Sequence, residues 1–374
     1  MKLVYLTFND HPSGIYKSQV VDTCNFLRNE LGHDVQLIAF ISLRNYTAVK
    51  SAVLQMDTKA KVKPMFPGIH RWRNNKWLLK WSGIRNADKI IARGMFATHL
   101  VHLAGVAKQQ LIFDARGAYA AEFSEYHVGG DAFNKVEIEA LEQAALQISG
   151  KQLAVSQALR SYWKRQYQFD GNNSIVIPCT VSDDVITELP DDKELVDYRA
   201  HLGVQTDECL IVFSGTASGW HSFQMMDELL LKWMHDNPKI KILLLTNSNT
   251  DQLKITSEFS SRVMVKWVKH HQVQQLLYAA DYGWLVREQS DTNRVASPVK
   301  FAEYLAAGLY VIISPELGDC SELVNREGCG MISDKVLATD LIPLTRNQKL
   351  HAVNLVKTHF TKIAQVKQYK NLLQ

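Results

Sequence analysis

The strongest constraint on the fold is the regular alternation of short apolar runs with longer amphipathic stretches. Runs such as "KLVYLTF" from Lys2, "DVQLIAF" from Asp34 and "QLIFDA" from Gln110 have the length and composition of buried strands. Helical periodicity occupies intervening stretches, for example Gly14 to Leu31 and Asn134 to Ser149. Strand–helix alternation of this kind predicts parallel, doubly wound sheets.

The same rhythm starts again in the second half, so two such domains are predicted. The remaining predicted strands are "DKIIAR" (from Asp88), "KQLAVS" (Lys151), "SIVIP" (Ser174), "CLIVFSG" (Cys209), "KIKILLLTN" (Lys239), "RVMVKWV" (Arg262), "YGWLV" (Tyr282), "LYVIIS" (Leu309) and "GMIS" (Gly330). A chain of 374 residues is also long for one core. We expect Rossmann-like domains at 1–180 and 181–358, joined by the polar segment Pro178 to Leu195, and a final helix from 359 to 374 that packs back on the first domain.

Composition indicates the cellular compartment of the chain and excludes some classes of partner. The five cysteines are scattered without Cys-x-x-Cys spacing, which favours free thiols in a reducing compartment over a disulfide frame or a zinc site. The first apolar run is short for a signal peptide, and no run approaches the roughly 18 apolar residues of a membrane span. We expect a cytoplasmic protein that binds no metal ion, and the mild net charge of +4 does not indicate nucleic acid.

Ligands of doubly wound sheets bind at the carboxyl ends of the strands, so the loops after strands hold the candidate sites. Gly14 opens a helix after the first strand, either for close approach of a ligand or as a simple turn. Asp114 and Arg116 follow a later strand, where they form a site or an ion pair that braces the turn. There is no G-x-G-x-x-G sequence, which argues against a dinucleotide.

The loop "SGTASG" ends the first strand of the second half. Its small residues either leave room for a ligand or form a flexible connection. These residues are Ser214, Gly215, Thr216, Ser218 and Gly219.

The stretch "SPVKFAEYLAAGLYVIIS" carries the most specific signal. Ser297 and Pro298 are predicted as N-cap and first residue of a helix, and the amides at Val299 and Lys300 then point at one spot together with the lysine ammonium. Dipole, donors and charge of one sign favour a diphosphate there. Glu303 shares the helix face and would suit ribose hydroxyls; the alternative is a surface Lys–Glu pair.

On these residues the chain resembles retaining glycosyltransferases of the GT-B fold, family-4 type. The matching blocks are "SPVKFAEYLAAGLYVIIS…GDCSELV", "LAVSQALRSYW", "SIVIPCTVSDD" and "LLYAADYGWLV", and "FDARG" resembles a marker of bacterial surface-polysaccharide members. The resemblance implies two Rossmann-like domains facing a central cleft. It also implies transfer of a sugar from a nucleotide-diphosphate donor to a glycan or polyprenyl-linked glycan, with retention and without a metal or other cofactor.

By the same resemblance, Lys300 would hold the diphosphate and Glu303 the ribose. The Gly14 loop would close over the phosphates, and backbone groups near Val268 would contact the base. Lys300, Arg116 and Asp114 are the candidate catalytic residues; the other candidate donor-binding residues are Gly215, Thr216, Asn293, Ser297 and Val299.

One position departs from the family pattern. The first glutamate of the family's Glu-x7-Glu sequence is replaced by Val295, so the residue that normally touches the transferred sugar is absent. The polar loop before it offers Glu288, Asp291, Asn293 or Arg294 as substitutes. The alternatives are an inactive GT-B subunit that binds a partner, or a nucleotide-sugar epimerase on the same fold.

A second unusual segment runs from Gly68 to Ala87. It holds Trp72, Trp77 and Trp81 with several lysines and arginines and no acidic residue. As a helix, this segment would place Trp77 and Trp81 on one face with Lys80 beside it, which suits an anionic membrane surface such as the inner face of the plasma membrane. The candidate membrane-interface residues are Trp72, Trp77, Lys80 and Trp81. The alternative is a helix whose tryptophans pack into the first domain.

Overall fold

A computed structural model describes residues 1–127, 132–185, 187–216 and 223–374. Its contacts divide the chain into an N-terminal unit, Met1–Asp183 with Lys362–Gln374, and a C-terminal unit, Asp184–Thr361. Each unit has its own parallel sheet and its own apolar core.

The N-terminal unit contains a seven-stranded sheet in the order β3-β2-β1-β4-β5-β6-β7. Every neighbouring pair is parallel, with Leu3 of β1 opposite both Val35 of β2 and Lys89 of β4. The strands are β1 Lys2–Phe8, β2 Asp34–Ile41, β3 Lys61–Pro64, β4 Lys89–Arg93, β5 Leu111–Ala115, β6 Lys151–Ala154 and β7 Ser174–Val176.

Helices connect these strands as a doubly wound fold requires. They are α1 Gly14–Tyr16, continued through a π-helical turn Lys17–Val21 into α2 Asp22–Asn29, then α3 Tyr46–Met56, α4 Lys76–Lys80, α5 Gly94–Leu103, α6 Tyr119–Tyr126, α7 Lys135–Ile148 and α8 Gln157–Tyr167. Short 3-10 turns cover Ile69–Asn75, Ile84–Asn86 and Lys108–Gln110.

The C-terminal unit repeats the plan with six parallel strands in the order β10-β9-β8-β11-β12-β13. The strands are β8 Cys209–Ser214, β9 Ile240–Leu245, β10 Val263–Lys266, β11 Tyr282–Leu285, β12 Tyr310–Ile313 and β13 Gly330–Ile332. The helices are α9 Asp192–His201, α10 Phe223–Asp236, α11 Lys254–Glu258, α12 His270–Tyr278, α13 Asp291–Arg294, α14 Val299–Ala306, α15 Gly318–Glu327 and α16 Arg346–His359, with a 3-10 turn at Ala338–Asp340.

The prediction of two doubly wound parallel sheets is confirmed, and each of the twelve predicted strands is present. The sequence missed β3, an edge strand beside β2. Its residues "KVKP" alternate lysine with a half-buried valine and end in proline, a composition that protects an edge but gives no apolar run.

The predicted final helix is wrong in its start. The helix α17 covers Val366–Leu373, and His359 instead ends α16. Between them the chain turns, and Lys362 reaches the carbonyl of Val181 at 3.0 Å. Tyr369, Leu372 and Leu373 of α17 are buried in the core of the N-terminal unit.

No described helix combines the length and apolar character needed to cross a membrane.

Candidate active site

In the C-terminal unit the strand order reverses between β8 and β11, the place where doubly wound sheets open a crevice at their carboxyl ends. Ser214 ends β8 there, and Lys300 lies in the first turn of α14. The Lys300 ammonium donates to the Ser214 hydroxyl at 3.3 Å. A strand end and a helix N-terminus are therefore joined by one cation.

The same ammonium lies 2.9 Å from the Glu303 carboxylate. The side chain of Lys300 is 31% exposed and that of Glu303 19%, so both are reachable from solvent. An ammonium has three N–H donors, and these two contacts use two of them. Lys300 can thus hold Glu303 in place and still donate to an anion at the start of α14, where the helix dipole also favours negative charge.

Tyr304, the residue after Glu303 in α14, stabilises the arrangement of Lys300, Ser214 and Glu303. Its buried hydroxyl accepts a hydrogen bond from the Ser214 amide at 3.0 Å, so α14 is anchored to the end of β8. Burial raises the pKa of Tyr304, which keeps the hydroxyl neutral. The ring lies against Gly283 of β11, where a Cβ would stand 2.3 Å from ring carbon Cγ.

The predicted helix start is one residue off. The N-cap position of α14 is Pro298, not Ser297, and the proline ring offers no side-chain acceptor to the first turn of the helix. The chain is extended at Pro298, and the start of α15 packs against the preceding residues so closely that a Cβ on Gly318 would lie 2.1 Å from the Ala296 carbonyl oxygen. Val299 is then the first helical residue, and its amide opens the helix.

The other candidate donor-binding residues lie at several places. Gly215 is half-buried and Thr216 exposed just after β8, while Val268 follows the edge strand β10. Asn293 is 3% exposed, and its side-chain amide nitrogen donates to the Glu288 carbonyl at 3.0 Å, so it stabilises the loop between these two residues from its buried side. Gly14 begins α1 in the other unit and is exposed. Ser218 and Gly219 lie outside the described residues.

The burial of position 295 explains why a valine, and not a glutamate, is found there. Its side chain is 1% exposed, a position where an unpaired carboxylate would be costly. Of the suggested substitutes, Asp291 lies 2.9 Å from Arg294, which also contacts Glu316 at 3.2 Å. Glu288 is exposed.

The N-terminal unit has a second polar cluster, at the reversal between β1 and β4. Asp114 is buried at its centre, with the Tyr5 hydroxyl donating to it at 2.5 Å. Arg116 lies 3.2 Å from the other carboxylate oxygen, and Arg93 lies 3.7 Å away. With a side chain that is 1% exposed, Asp114 holds the two arginines in place and offers little surface to a substrate, which argues against the predicted catalytic contact.

Arg116, by contrast, reaches the wall of a cavity of about 280 Å³ in this unit. It also donates to the side chains of Gln19 at 2.8 Å and Cys179 at 3.0 Å. Asp10 and Arg93 also line this cavity, and Oδ2 of Asp10 lies 3.6 Å from Nε of Arg93. Burial raises the pKa of Asp10. The cavity therefore has a charged floor supported by the buried Asp114.

Two glutamates with raised pKa values lie in this unit: Glu122 is half-buried and lines the cavity, and Glu142 is fully buried. Burial, with repulsion from Glu142 and Glu125, raises the pKa of Glu122 to about 7. Burial likewise raises the pKa of Glu142 to about 7, against the lowering effect of hydrogen bonds from the Ala120 amide and the Tyr167 hydroxyl. Both groups hold protons at a pH where surface glutamates have lost them.

Sequence reasoning missed the residues that support these sites. Tyr5, Gln19 and Tyr304 lie inside apolar or helical stretches, where the pattern shows only core positions. The Tyr5–Asp114 bond joins residues 109 positions apart, so no local spacing could predict it.

The tryptophan segment also differs from its prediction. Trp72 is fully buried, with its ring 5.3 Å from Phe96 and 5.8 Å from His99, and cannot face a membrane. Trp77 and Trp81 are 52% and 82% exposed. The segment is broken into 3-10 turns around the five-residue α4, so the expected continuous helix is wrong.

Comparisons with known proteins identify the fold. Neither a protein-family model nor a curated protein matches this chain. Among solved structures, HepE of Anabaena, crystallised with UDP and glucose, has a TM-score of 0.69 at 15% identity, covering 100% of this chain and 99% of that one. WaaG, a glycosyltransferase involved in lipopolysaccharide biosynthesis, has a TM-score of 0.66 at 13% identity, with 98% and 99% covered.

A structure from Listeria monocytogenes that is named as a UDP-N-acetylglucosamine 2-epimerase is also similar, with a TM-score of 0.54 at 9% identity, covering 100% of this chain and 90% of that one. These likenesses extend over both units, and their low identities make them evidence of fold. The chain has the two-domain α/β architecture of the GT-B glycosyltransferases.

Proposed function

We propose that this chain is a glycosyltransferase that moves a sugar from a nucleotide-diphosphate donor to a glycan or lipid-linked glycan, with retention, in the synthesis of a surface polysaccharide. The observation that carries the proposal is the Lys300–Ser214–Glu303 arrangement at the start of α14. It brings together one cation, a helix N-terminus and a carboxylate, and these groups suit a diphosphate and the hydroxyls of an attached ribose.

In this proposal Lys300 and the first amides of α14 bind the diphosphate and stabilise its charge as it leaves. Glu303 accepts hydrogen bonds from the ribose hydroxyls. The leaving phosphate takes the proton of the acceptor hydroxyl, and the protein contributes positioning and electrostatic stabilisation. The residue that contacts the transferred sugar comes from the loop before Val295, where Glu288 is the exposed carboxylate.

A thermal-shift screen against UDP-, GDP-, ADP- and dTDP-sugars tests donor binding. One nucleotide series should raise the melting temperature of the wild type and fail to raise that of Lys300→Ala or Glu303→Ala. Lys254→Ala, which removes an exposed lysine from α11 of the same unit, is the matched control and should respond like the wild type. Equal shifts in all four proteins would refute the site.

Product analysis with the responding donor separates the alternatives. A transferase releases nucleoside diphosphate in proportion to the acceptor glycan extended, and NMR of the new linkage should show the anomeric configuration of the donor. Conversion of the donor to its epimer without an acceptor would instead establish an epimerase. A chain that binds no donor would be the inactive partner-binding subunit.

We also propose that the N-terminal unit docks on an anionic membrane through Trp77 and Trp81, near a lipid-linked acceptor. Residues 58–87 contain eight lysines and arginines and no acid, so the rest of the chain has a net charge of −4. The ammonium groups of Lys76 and Lys80 lie 5.4 and 4.8 Å from the Trp77 ring, leaving cations beside exposed aromatic surface.

Vesicle sedimentation tests this docking. The wild type should bind phosphatidylglycerol vesicles in low salt and not phosphatidylcholine vesicles, and Trp77→Ala/Trp81→Ala should lower the partition coefficient at least tenfold. Trp267→Ala removes a tryptophan that is 65% exposed in the C-terminal unit and serves as the control. Equal losses in the two variants, or no binding by the wild type, would refute the docking surface.

A further inference from the structure

The net positive charge of the Lys300–Glu303 pair at the start of α14 is small for a diphosphate. Lys300 and Glu303 lie 2.9 Å apart, so their charges cancel. The N-terminus of α14 adds roughly half an elementary charge. The diphosphate of a nucleotide sugar is a dianion, and it gains further negative charge when the sugar leaves. A second cation is therefore expected in this crevice.

Arg287 lies at the same crevice, two residues beyond the end of β11. Gly283 of β11 lies opposite Val212 of β8. The same register, continued by two residues, brings Leu285 level with Ser214, the last residue of β8. Arg287 therefore leaves the sheet at its carboxyl edge, beside the strand that carries Ser214. The residue is half-buried, so part of its side chain is reachable from solvent.

Hydrogen bonds position both the backbone and the side chain of Arg287. The Ser314 hydroxyl, just after β12, accepts from the Arg287 amide at 2.5 Å and donates to its carbonyl at 2.7 Å. Oδ1 of Asn293 accepts from Nη1 of the guanidinium at 3.4 Å. An amide oxygen orients a cation without neutralising it. Asn293, a predicted donor-binding residue, is thus a positioning residue for Arg287.

The charge of Arg287 reaches the hydroxyl that anchors α14. Burial raises the pKa of Tyr304, the Glu303 charge raises it further, and the Arg287 charge acts in the opposite direction. This hydroxyl accepts from the Ser214 amide at 3.0 Å, and the Ser214 hydroxyl accepts from Lys300 at 3.3 Å. The guanidinium and the ammonium therefore act on the same small region of the crevice.

The other arginine of the loop between β11 and α14 has a different role. Arg294 lies 2.9 Å from the carboxylate of Asp291 and 3.2 Å from that of Glu316. Two carboxylates offset its charge, so it contributes no net attraction for an anion. Of the two loop arginines, Arg287 is the one that suits a phosphate.

We propose that Arg287 is the second cation of the site at α14 and makes this site select a diphosphate over a monophosphate. A single phosphate is satisfied by Lys300 and the first amides of α14, while a second phosphate needs further positive charge. A planar guanidinium matches a phosphate with two parallel hydrogen bonds. That this diphosphate belongs to a nucleotide sugar rests on the proposed function.

Calorimetry on the full chain, with the mono- and diphosphates of uridine, guanosine, adenosine and thymidine, tests the inference. For the base that binds, the wild type should bind the diphosphate at least about tenfold more tightly than the monophosphate. Arg287→Gln should weaken diphosphate binding about tenfold and monophosphate binding less than about threefold. A merely structural role would weaken binding of both ligands equally.

Two further variants control for charge and for general effects on the unit. Arg287→Lys keeps the charge and should retain most of the selectivity. Arg326→Gln removes an arginine whose side chain is 61% exposed in α15 of the same unit, and it should bind both ligands like the wild type. Equal weakening of both ligands in Arg287→Gln, unchanged diphosphate affinity, or the same loss in Arg287→Lys or Arg326→Gln would overturn the inference.

Inorganic pyrophosphate and phosphate separate this inference from the proposed function. Pyrophosphate binding that depends on Arg287, in a chain that binds no nucleotide, would support the second cation and refute the nucleotide-sugar donor. Nucleoside diphosphate binding that depends on Lys300 and not on Arg287 would do the opposite. A wild type that binds neither pyrophosphate nor any nucleoside diphosphate would refute both.

Discussion

The two units place polar residues at the same topological position and use them differently. In the C-terminal unit, Lys300 and Glu303 form a partly exposed pair beside Ser214 at the strand-order reversal. In the N-terminal unit, the equivalent reversal holds a buried network around Asp114. The strand order fixes where a site can form, and the burial of its charges decides whether a residue serves the ligand or the fold.

The largest expected effect comes from breaking the buried network. Asp114→Asn leaves Arg116 without its carboxylate partner and Arg93 with Asp10 alone, and should lower the free energy of unfolding by about 3–5 kcal/mol. Lys300→Ala should change it by less than about 1 kcal/mol, since surface pairs contribute little. Urea denaturation of both variants measures this contrast. Comparable losses in the two would show that burial does not distinguish the two clusters.

A glycine in each unit sharpens the comparison further. In Gly283→Ala the new methyl group would lie 2.3 Å from the Tyr304 ring, which is held by its bond to Ser214, so the expected loss is about 1–3 kcal/mol. In Gly117→Ala the new methyl group would contact only the end of the Glu122 side chain, at 2.1 Å, and this flexible side chain can rotate away. The same denaturation experiment should find a loss below about 1 kcal/mol in Gly117→Ala. A larger loss there than in Gly283→Ala would contradict this view of the two contacts.

The smallest effect is a pH dependence specific to the N-terminal unit. Since the pKa values of Glu122 and Glu142 are raised to about 7 in the folded chain, the folded state binds more protons than the unfolded state between about pH 4.5 and 7. Stability contributed by these groups is therefore present at low pH and lost as the pH rises through 7. Glu142→Gln should reduce this fall by on the order of 1 kcal/mol. Denaturation at pH 5, 6, 7 and 8 measures it, and an unchanged slope in the variant would contradict the assignment.

The sequence predicted the twelve apolar strands because buried parallel strands produce continuous apolar runs. It could not predict β3, whose lysines suit an edge, or the break between α16 and α17. The polar support of the sites was hidden for another reason: Tyr5, Gln19 and Tyr304 act through single atoms at the ends of otherwise buried side chains. Lys300 and Glu303 were visible because helix spacing alone puts them together.

Trp72 and Trp77 show the limit of composition more directly. The sequence grouped them by residue type and charge, yet Trp72 is fully buried and Trp77 is 52% exposed. The two tryptophans are five positions apart in a segment of mixed 3-10 and α-helix, so their side chains point in different directions. A helical period of 3.6 residues does not describe such a segment.

Isothermal titration calorimetry with a panel of nucleoside diphosphates tests the central claim most directly. We expect one of them to bind the wild type, and the same nucleotide to bind Lys300→Ala at least a hundredfold more weakly while Lys254→Ala retains wild-type affinity. Absence of binding by the wild type to every member of the panel, or equal affinity in the wild type and Lys300→Ala, would contradict the assignment of a nucleotide site to α14.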